Sequence, residues 1–228
     1  MSPPPVKALS FDAAGTLIEL SEPVGESYHR VARNHGIQCD PTDLASAFKI
    51  VWQRTPSAFS ADSPVRDPDE KSWWRRLVKE VFATSGASLP SDSEFDVFFE
   101  SLYDHFENPG TWRAIPGAAA ALRQISPQFP CVILSNFDGR LRRILADLDL
   151  TFAFQEILLS CELGASKPDP KVFEAARRHF RLPPQNILHV GDDPVCDWEG
   201  ATKASFASFR VGKGQSTLGE LLRQLSLA

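Results

Sequence analysis

The stretch Ala8-Leu9-Ser10-Phe11-Asp12-Ala13-Ala14-Gly15-Thr16-Leu17-Ile18 decides how the whole chain is interpreted. An apolar run ends in a single carboxylate, and a glycine and a threonine follow within four residues. This pattern predicts a buried strand that delivers Asp12 to its C-terminal edge, where Gly15 permits a sharp turn. Ligands of open parallel sheets bind at such strand ends, and an aspartate held there is a candidate nucleophile. Taken alone, the stretch is better explained by a turn that uses Asp and Gly for local geometry.

The second half of the chain favours the catalytic interpretation, because short apolar strands alternate there with helical segments. The predicted strands of the whole chain are 7–11, 131–134, 156–160, 187–190 and 206–211. This alternation is typical of parallel βαβ units with right-handed crossovers. We therefore predict a three-layer α/β/α sandwich with a Rossmann-like parallel sheet, formed by residues 1–18 and 110–228.

Residues 19–109 show a different pattern, with four amphipathic helices in succession and no intervening strand. Helix-start signals precede three of them, at 40–43, 67–70 and 91–94, and a loop rich in proline and serine covers 55–67. Successive amphipathic helices predict a helical bundle. We interpret it as a cap domain inserted after the first strand, with most of its aromatic side chains in its own core.

The composition excludes several kinds of partner. The 228 residues carry a net charge of -5, with 43% hydrophobic and 23% charged residues, so we expect neither a nucleic-acid nor a membrane partner. The four cysteines lack metal-site spacing, and the first residues do not resemble a signal peptide, so we expect a cytoplasmic protein. The sequence leaves the oligomeric state open.

Polar side chains of complementary chemistry follow four of the predicted strands. They are Asp12, Ser135-Asn136, Lys167 and the run Gly191-Asp192-Asp193, with Asp197 one helical turn later. Because the carboxyl ends of parallel strands share one edge, these groups are expected to meet there. Together they offer a nucleophile, donors for an oxyanion, an ammonium group and carboxylates for a hard cation.

In this order and on this pattern, the four segments resemble the motifs of the haloacid dehalogenase (HAD) superfamily, whose first motif is usually D-x-D-G-T. The helices of 19–109 lie where the C1 cap of that family lies. The resemblance implies that Asp12 attacks phosphorus and carries an aspartyl-phosphate, and that Lys167 neutralises the developing charge. It also implies that phosphoryl oxygens are held by Thr16, Ser135 and Asn136.

The resemblance further implies a Mg²⁺ ion, for which oxygen ligands are typical. Its ligands are implied to be Asp12, Asp192, Asp193 and the backbone carbonyl of Ala14. Asp193 and Asp197 each allow other roles, either orienting a ligand or serving as a helix N-terminal acid, and for Asp197 the orienting role is preferred.

The chain departs from the family pattern at Ala14, where the second aspartate of the first motif is missing. In the family that carboxyl protonates the leaving group and later activates the water that hydrolyses the intermediate. Three situations follow from its loss: a substrate with a good leaving group, a replacement acid, or a protein that turns over slowly or only binds a phosphorylated ligand. Glu19, Glu22 and His29 are considered as replacement acids, without a preference among them.

Two family variants also lack this acid. The phosphonoacetaldehyde hydrolases have alanine here but need a cap lysine, for which Lys49, Lys71 and Lys79 are weak candidates. Haloacid dehalogenases usually have an aromatic residue here and lack the metal acids, which Asp192 and Asp193 supply. The wider resemblance is to the haloacid dehalogenase-like hydrolase domain-containing subfamily. We expect a Mg²⁺-dependent phosphatase of a small phosphorylated metabolite, with an inactive phospho-ligand-binding protein or a phosphonatase-like hydrolase as alternatives.

Overall fold

In the computed structural model, which describes residues 5–56, 58–59 and 70–227, the chain divides into two compact units. The first unit holds the described parts of 1–19 and 113–228, together with Phe59. The second holds the described parts of 20–58 and 62–112.

The strands and helices are numbered in chain order. The strands are β1 (Ala8–Phe11), β2 (Ile18–Leu20), β3 (Trp112–Ala114), β4 (Cys131–Ser135), β5 (Glu156–Leu159), β6 (Ile187–Gly191) and β7 (Ala207–Arg210). The helices are α1 (Val24–Asn34), α2 (Pro41–Arg54), α3 (Glu70–Ser85), α4 (Asp92–His105), α5 (Ala118–Ile125), α6 (Arg140–Asp147), α7 (Ser160–Leu163), α8 (Pro170–Phe180), α9 (Gly200–Lys203) and α10 (Leu218–Gln224). A π-helix, Pro194–Glu199, precedes α9 directly.

The first unit is built on a parallel sheet of five strands in the order β5-β4-β1-β6-β7. β1 lies at its centre, and Phe11 is in register with Ile133 of β4 and Val190 of β6. All residues of β1, β4 and β6 are buried, as expected for strands that helices cover on both faces. The predicted α/β class with a parallel sheet is therefore confirmed.

This register places the polar residues that follow the strands at one edge. Asp12 comes directly after β1, Ser135 ends β4 and Asp192 follows β6. Beneath the sheet, Phe173 of α8 belongs to a buried apolar cluster together with strand residues such as Val132 and Ile187. This apolar cluster packs α8 against the sheet.

The second unit contains α1 to α4, close to the positions predicted from the helical periodicity. The side chain of Asp40 caps α2 by accepting hydrogen bonds from two backbone N–H groups, and Ser91 and Glu94 form a capping box on α4. The largest fully buried side chains of this unit are aromatic: Tyr28, Phe82, Phe95 and Phe98. The predicted start of the third helix at 67–69 and most of the predicted loop at 55–67 lie outside the described residues.

Within the described part of the chain, no helix has both the length and the apolar character needed to cross a membrane.

Candidate active site

Asp12 is the central carboxylate of the candidate site and is 7% exposed. Its backbone N–H donates to the carbonyl of Val190, which continues the hydrogen bonding of β1 with β6 beyond the last strand residue. The side-chain atom Oδ1 accepts hydrogen bonds from Lys167 Nζ at 2.7 Å and from Ser135 Oγ at 3.3 Å. Burial raises the pKa of Asp12 from 3.8 to about 6, although Lys167 acts in the opposite direction. The carboxylate is therefore a buried group that is ionised at neutral pH.

Lys167 is 3% exposed and shared between two carboxylates. Its Nζ lies 2.7 Å from Asp12 Oδ1 and 2.6 Å from Asp197 Oδ1. Burial alone would lower the pKa of this ammonium group, but Asp12 and Asp197 raise it above its ordinary value. Lys167 consequently stays charged and neutralises part of the negative charge at the strand edge.

The side-chain amide of Asn136 fixes the backbone at Lys167. Asn136 Oδ1 accepts from Lys167 N at 2.7 Å, and Asn136 Nδ2 donates to Lys167 O at 2.9 Å. This paired arrangement resembles one step of a β-ladder between the end of β4 and the segment before α8. In the structure Asn136 thus positions Lys167.

Asp197 is 1% exposed, and hydrogen bonds occupy both of its side-chain oxygens. Oδ1 accepts from Lys167 Nζ and from His189 Nε2 at 3.0 Å, and Oδ2 accepts from the backbone N–H of Asp193 at 3.0 Å. Although burial opposes it, Lys167 and His189 hold the pKa of Asp197 well below its usual range. Asp197 is therefore a fixed, ionised group that holds Lys167 in place.

Asp192 lies beside the turn at Gly15. Thr16 Oγ1 donates to Asp192 Oδ1 at 3.3 Å. Gly15 has φ +87°, and a Cβ added there would lie 2.4 Å from Asp192 Oδ2, so only glycine fits this position. Burial, and then the charge of Asp197, raise the pKa of Asp192 to about 6.

The structure brings Asp197, rather than the predicted Asp193, into the carboxylate cluster. Side-chain oxygens of Asp12, Asp192 and Asp197 lie within 4.8 Å of one another. The exposed Asp193 instead caps the π-helix, since its Oδ1 accepts from Val195 N at 2.8 Å and Cys196 N at 2.7 Å. Both capping contacts lie within three residues in the chain, so this carboxylate satisfies its own helix end.

The cluster suits a divalent cation on charge grounds. Among the described residues, Lys167 is the ammonium group that pairs with this cluster, and it pairs with two of the three carboxylates, Asp12 and Asp197, which leaves an excess of negative charge. Carboxylate oxygens are the ligands that Mg²⁺ prefers. Because the oxygens of Asp197 are already occupied, Asp12 and Asp192 are the side chains suited to hold it.

The residues considered as replacements for the acid missing at Ala14 have other partners. Glu19 pairs with Arg113 at 2.9 Å, and His29 Nδ1 lies 2.9 Å from the Cys39 carbonyl. Within the second unit, Glu22 pairs with Arg30 and accepts from Ser27 Oγ at 2.7 Å.

The candidate cap lysines are also explained by ordinary surface contacts within the second unit. Lys71 pairs with Glu100 at 2.5 Å and Lys79 with Asp92 at 2.6 Å, which links α3 to α4. Lys49 is exposed on α2.

Sequence reasoning overlooked His189, which the structure places behind Asp197. The sequence pattern that could have indicated it is a single histidine within the apolar run Ile187-Leu188-His189-Val190, all of which is buried. Its partner Ser10 lies in the opening stretch, two residues before Asp12.

Residues 6–205 match the family model of the haloacid dehalogenase-like hydrolases. Haloacid dehalogenase-like hydrolase domain-containing protein 3 of Mus musculus is 31% identical over 219 residues, which cover 96% of this chain and 86% of that protein. Of the solved structures, YfnB of Bacillus subtilis, determined with bound magnesium, aligns with a TM-score of 0.77 at 19% identity over 98% of this chain and 100% of that chain. An L-2-haloacid dehalogenase aligns with a TM-score of 0.76 at 18% identity over 98% and 100% of the two chains. At these identities the structural likeness concerns the fold alone.

Proposed function

This chain belongs to the haloacid dehalogenase-like hydrolase family, and from that premise we propose that it is a Mg²⁺-dependent phosphatase of a small phosphorylated metabolite. The nucleophile is Asp12, and the reaction passes through an aspartyl-phosphate. The second unit serves as a cap that excludes water and selects the substrate.

The arrangement around Asp12 carries this proposal. The contacts that the described residues make to its side chain go to Oδ1, from Lys167 and Ser135. One oxygen of this carboxylate then attacks phosphorus, and the other holds the cation. A nucleophile held by one oxygen loses little freedom on reaching the reactive geometry, which is how positioning lowers a barrier.

The reaction has two steps. A carboxylate oxygen of Asp12 forms a bond to phosphorus while the bond from phosphorus to the leaving oxygen breaks, and the leaving group keeps the electron pair. Water then attacks phosphorus, and the bond between Asp12 and phosphorus breaks with its electron pair returning to the carboxylate. Both protons of the water leave on inorganic phosphate, since Ala14 offers no base. Lys167 and Ser135 stabilise the charge on the phosphoryl oxygens.

Asp12 and Asp192 would hold the cation, together with the Ala14 backbone carbonyl that the family resemblance implies. When bound, Mg²⁺ neutralises negative charge on the phosphoryl group. The magnesium bound to YfnB and the unbalanced carboxylates of this site support the assignment.

Ala14 restricts the substrate further. General acid–base assistance contributes about 10²–10⁴-fold to a rate, and an alkoxide leaves poorly without it. We therefore propose substrates whose leaving group needs no proton, which are acyl phosphates or aryl phosphates.

The test measures phosphate release from acetyl phosphate and p-nitrophenyl phosphate, with Mg²⁺ and with EDTA. We expect turnover with Mg²⁺, loss in EDTA, and loss of at least 10³-fold in Asp12→Asn, since the amide cannot form the covalent intermediate. Turnover that persists in Asp12→Asn would refute the proposed nucleophile.

Ala14 also favours a second candidate function, in which the protein binds a phosphorylated ligand without hydrolysing it. It predicts saturable, Mg²⁺-dependent binding of inorganic phosphate without hydrolysis of either substrate. Halide release from L-2-chloropropionate, measured in parallel, would instead indicate dehalogenation, in which the leaving group needs no proton.

A further inference from the structure

A fully buried histidine lies behind the candidate site and makes contacts at both ring nitrogens. His189 is 0% exposed; its Nε2 lies 3.0 Å from Asp197 Oδ1, and its Nδ1 lies 2.9 Å from Ser10 Oγ. It occupies the strand position beside Ser10 of β1 on one side and Ser208 of β7 on the other. The imidazole therefore links the central strand to the π-helix that carries Asp197.

Apolar packing holds the ring in this orientation. Phe173 of α8 contacts it edge-on, with ring centroids 5.3 Å apart and planes at 82°. Phe173 is itself fully buried and close to Gly200, where a Cβ would lie 2.8 Å from the ring. The imidazole cannot turn away from Asp197 without displacing this core.

The chemistry of the two partners determines the tautomer. An ionised carboxylate only accepts hydrogen bonds, so Nε2 carries the proton and donates to Asp197. Nδ1 then accepts from the hydroxyl of Ser10. The chain of hydrogen bonds runs from Ser10 through His189 and Asp197 to Lys167, and from Lys167 to Asp12.

We propose that His189 is a positioning residue of the hydrolase, which aims Asp197 so that Lys167 is shared between Asp197 and the nucleophile. Two observations support this proposal. Lys167 Nζ lies 2.6 Å from Asp197 Oδ1 and 2.7 Å from Asp12 Oδ1, and His189 donates to the same Asp197 oxygen that Lys167 contacts. Without the imidazole N–H, Asp197 can rotate and draw Lys167 away from Asp12. The kinetic part of this inference rests on the proposed phosphatase function.

The test compares variants at position 189 that differ in one property. His189→Leu removes the donor at similar volume, His189→Gln supplies an amide N–H that can reach Asp197, and His189→Asn carries the same amide on a shorter side chain. Groups that orient a site from behind typically contribute 10–100-fold. For acetyl phosphate we expect kcat to fall at least tenfold in His189→Leu and His189→Asn, while KM stays within twofold of wild type. In His189→Gln we expect kcat to lie within threefold of wild type.

Leu188→Ala is the matched control for general destabilisation. Leu188 is equally buried on β6, and strand alternation points its side chain to the opposite face of the sheet. We expect its thermal midpoint to drop at least as far as that of His189→Leu while kcat stays within twofold of wild type. A kcat for His189→Leu and His189→Asn within twofold of wild type would overturn the proposal, as would a loss in His189→Gln as large as in His189→Leu.

Crystal structures of the same variants provide a readout that does not require turnover. We expect the contact between Lys167 and Asp12 to be lost in His189→Leu and His189→Asn and kept in His189→Gln. If both Lys167 contacts persist in all three, the positioning role is wrong whatever the substrate. If wild type hydrolyses neither phosphate ester nor acyl phosphate, the phosphatase function fails, and the crystal structures still decide the role of His189.

Discussion

At the scale of single residues, Ala14 decides which leaving groups this site can expel. It follows the nucleophile by two positions and precedes Gly15, whose φ of +87° shapes the turn. The site contains a nucleophile, an ammonium group and carboxylates for a cation, but Ala14 cannot donate a proton to the leaving group. Leaving-group acidity should therefore control the rate.

Ala14→Asp is expected to raise hydrolysis of an alkyl phosphate such as glycerol phosphate by about 10²–10⁴-fold, because it restores a general acid. Acetyl phosphate should gain less than the alkyl phosphate, since its leaving group needs no proton and the restored carboxyl helps it only in the attack of water. Phosphate release on both substrates measures the effect. Ala14→Asn, which has a similar shape but no acidic proton, is the control, and an equal rise in that variant would contradict the explanation.

Because the pKa of Asp12 is raised in the folded protein, ionisation of this carboxyl lowers the free energy of unfolding. Between pH 3.8 and about 6 the folded state binds a proton that the unfolded state has lost, so this group lowers stability as pH rises through that range. Asp12→Asn should therefore increase the free energy of unfolding by about 1–2 kcal/mol at pH 7.5 in EDTA, with no gain below pH 4. Urea unfolding at the two pH values measures it.

Asp197→Asn is the opposite case. Its pKa is held low by Lys167 and His189, so its stabilisation is present above the unfolded pKa and is lost only as pH falls. Removing the charge leaves Lys167 with less compensation, and we expect a loss of about 3 kcal/mol at pH 7.5. A higher free energy of unfolding in Asp197→Asn, or a lower one in Asp12→Asn, would contradict this explanation, in which burial dominates at Asp12 and ion pairing dominates at Asp197.

At the scale of elements, the junction between β6 and the π-helix positions Asp197. A Cβ added at Gly191 would lie 2.3 Å from Asp197 Cγ, so the carboxylate packs directly against the strand backbone. Trp198 Nε1 donates to the Gly191 carbonyl at 2.9 Å and fastens the same junction. Asp197 belongs to the π-helix, a feature often found at functional sites, and is the buried residue of that helix.

Gly191→Ala should displace Asp197 and with it Lys167. We expect turnover to fall at least tenfold and the free energy of unfolding to fall by about 2 kcal/mol, as for other overpacked sites. Steady-state kinetics and urea unfolding measure the two effects. Gly139→Ala is the control, because Gly139 has helical φ and ψ and no atom within 4 Å of the added Cβ; equal losses in both variants would rule out the close packing as the cause.

The ion pairs that link α3 and α4 belong to the surface of the second unit. Such exposed pairs contribute little, since water screens them and the side chains lose freedom. Lys71→Met and Lys79→Met should each shift the thermal midpoint by less than about 2 °C and leave turnover within twofold. Calorimetry and phosphate release check this, and abolished turnover in either variant would revive the phosphonatase-like alternative, which needs a cap lysine.

At the scale of the whole molecule, the sequence predicts the positions of strands and helices, because these depend on local residue patterns. Apolar strands such as Cys131–Ser135 and the helices of the second unit lie close to where periodicity placed them. Asp12, Lys167 and Asp192 were predicted to meet because strand ends of a parallel sheet share an edge, and the structure brings them together.

Side-chain pairing across the chain was beyond that reasoning. Asn136 and Lys167 are 31 residues apart, and Ser10 and His189 are 179 apart, so no local pattern indicates that they bond. The choice between Asp193 and Asp197 depended on which carboxylate caps the helix and which one meets Lys167 and His189. Periodicity with a 3.6-residue repeat cannot express that difference.

The excess negative charge at the strand edge links cation binding to the stability of the whole chain. A ligand that binds only the folded state at a hundred times its Kd stabilises by about 2.7 kcal/mol. For a chain of this size, that corresponds to a rise in thermal midpoint of about 5–11 °C. We expect Mg²⁺ to produce such a shift at pH 7.5, measured by scanning calorimetry against EDTA.

The dependence of this shift on pH and on single residues identifies the ligands. Asp12 and Asp192 titrate near pH 6, so protons compete with the cation and the shift should vanish as pH falls below about 5. Asp192→Asn should abolish the shift at pH 7.5, whereas Asp193→Asn should retain it, because asparagine still caps the π-helix and Asp193 lies outside the cluster. A shift that disappears in Asp193→Asn as well as in Asp192→Asn would return the metal site to the ligand set first predicted from the sequence, and a shift that survives Asp192→Asn would contradict both ligand sets.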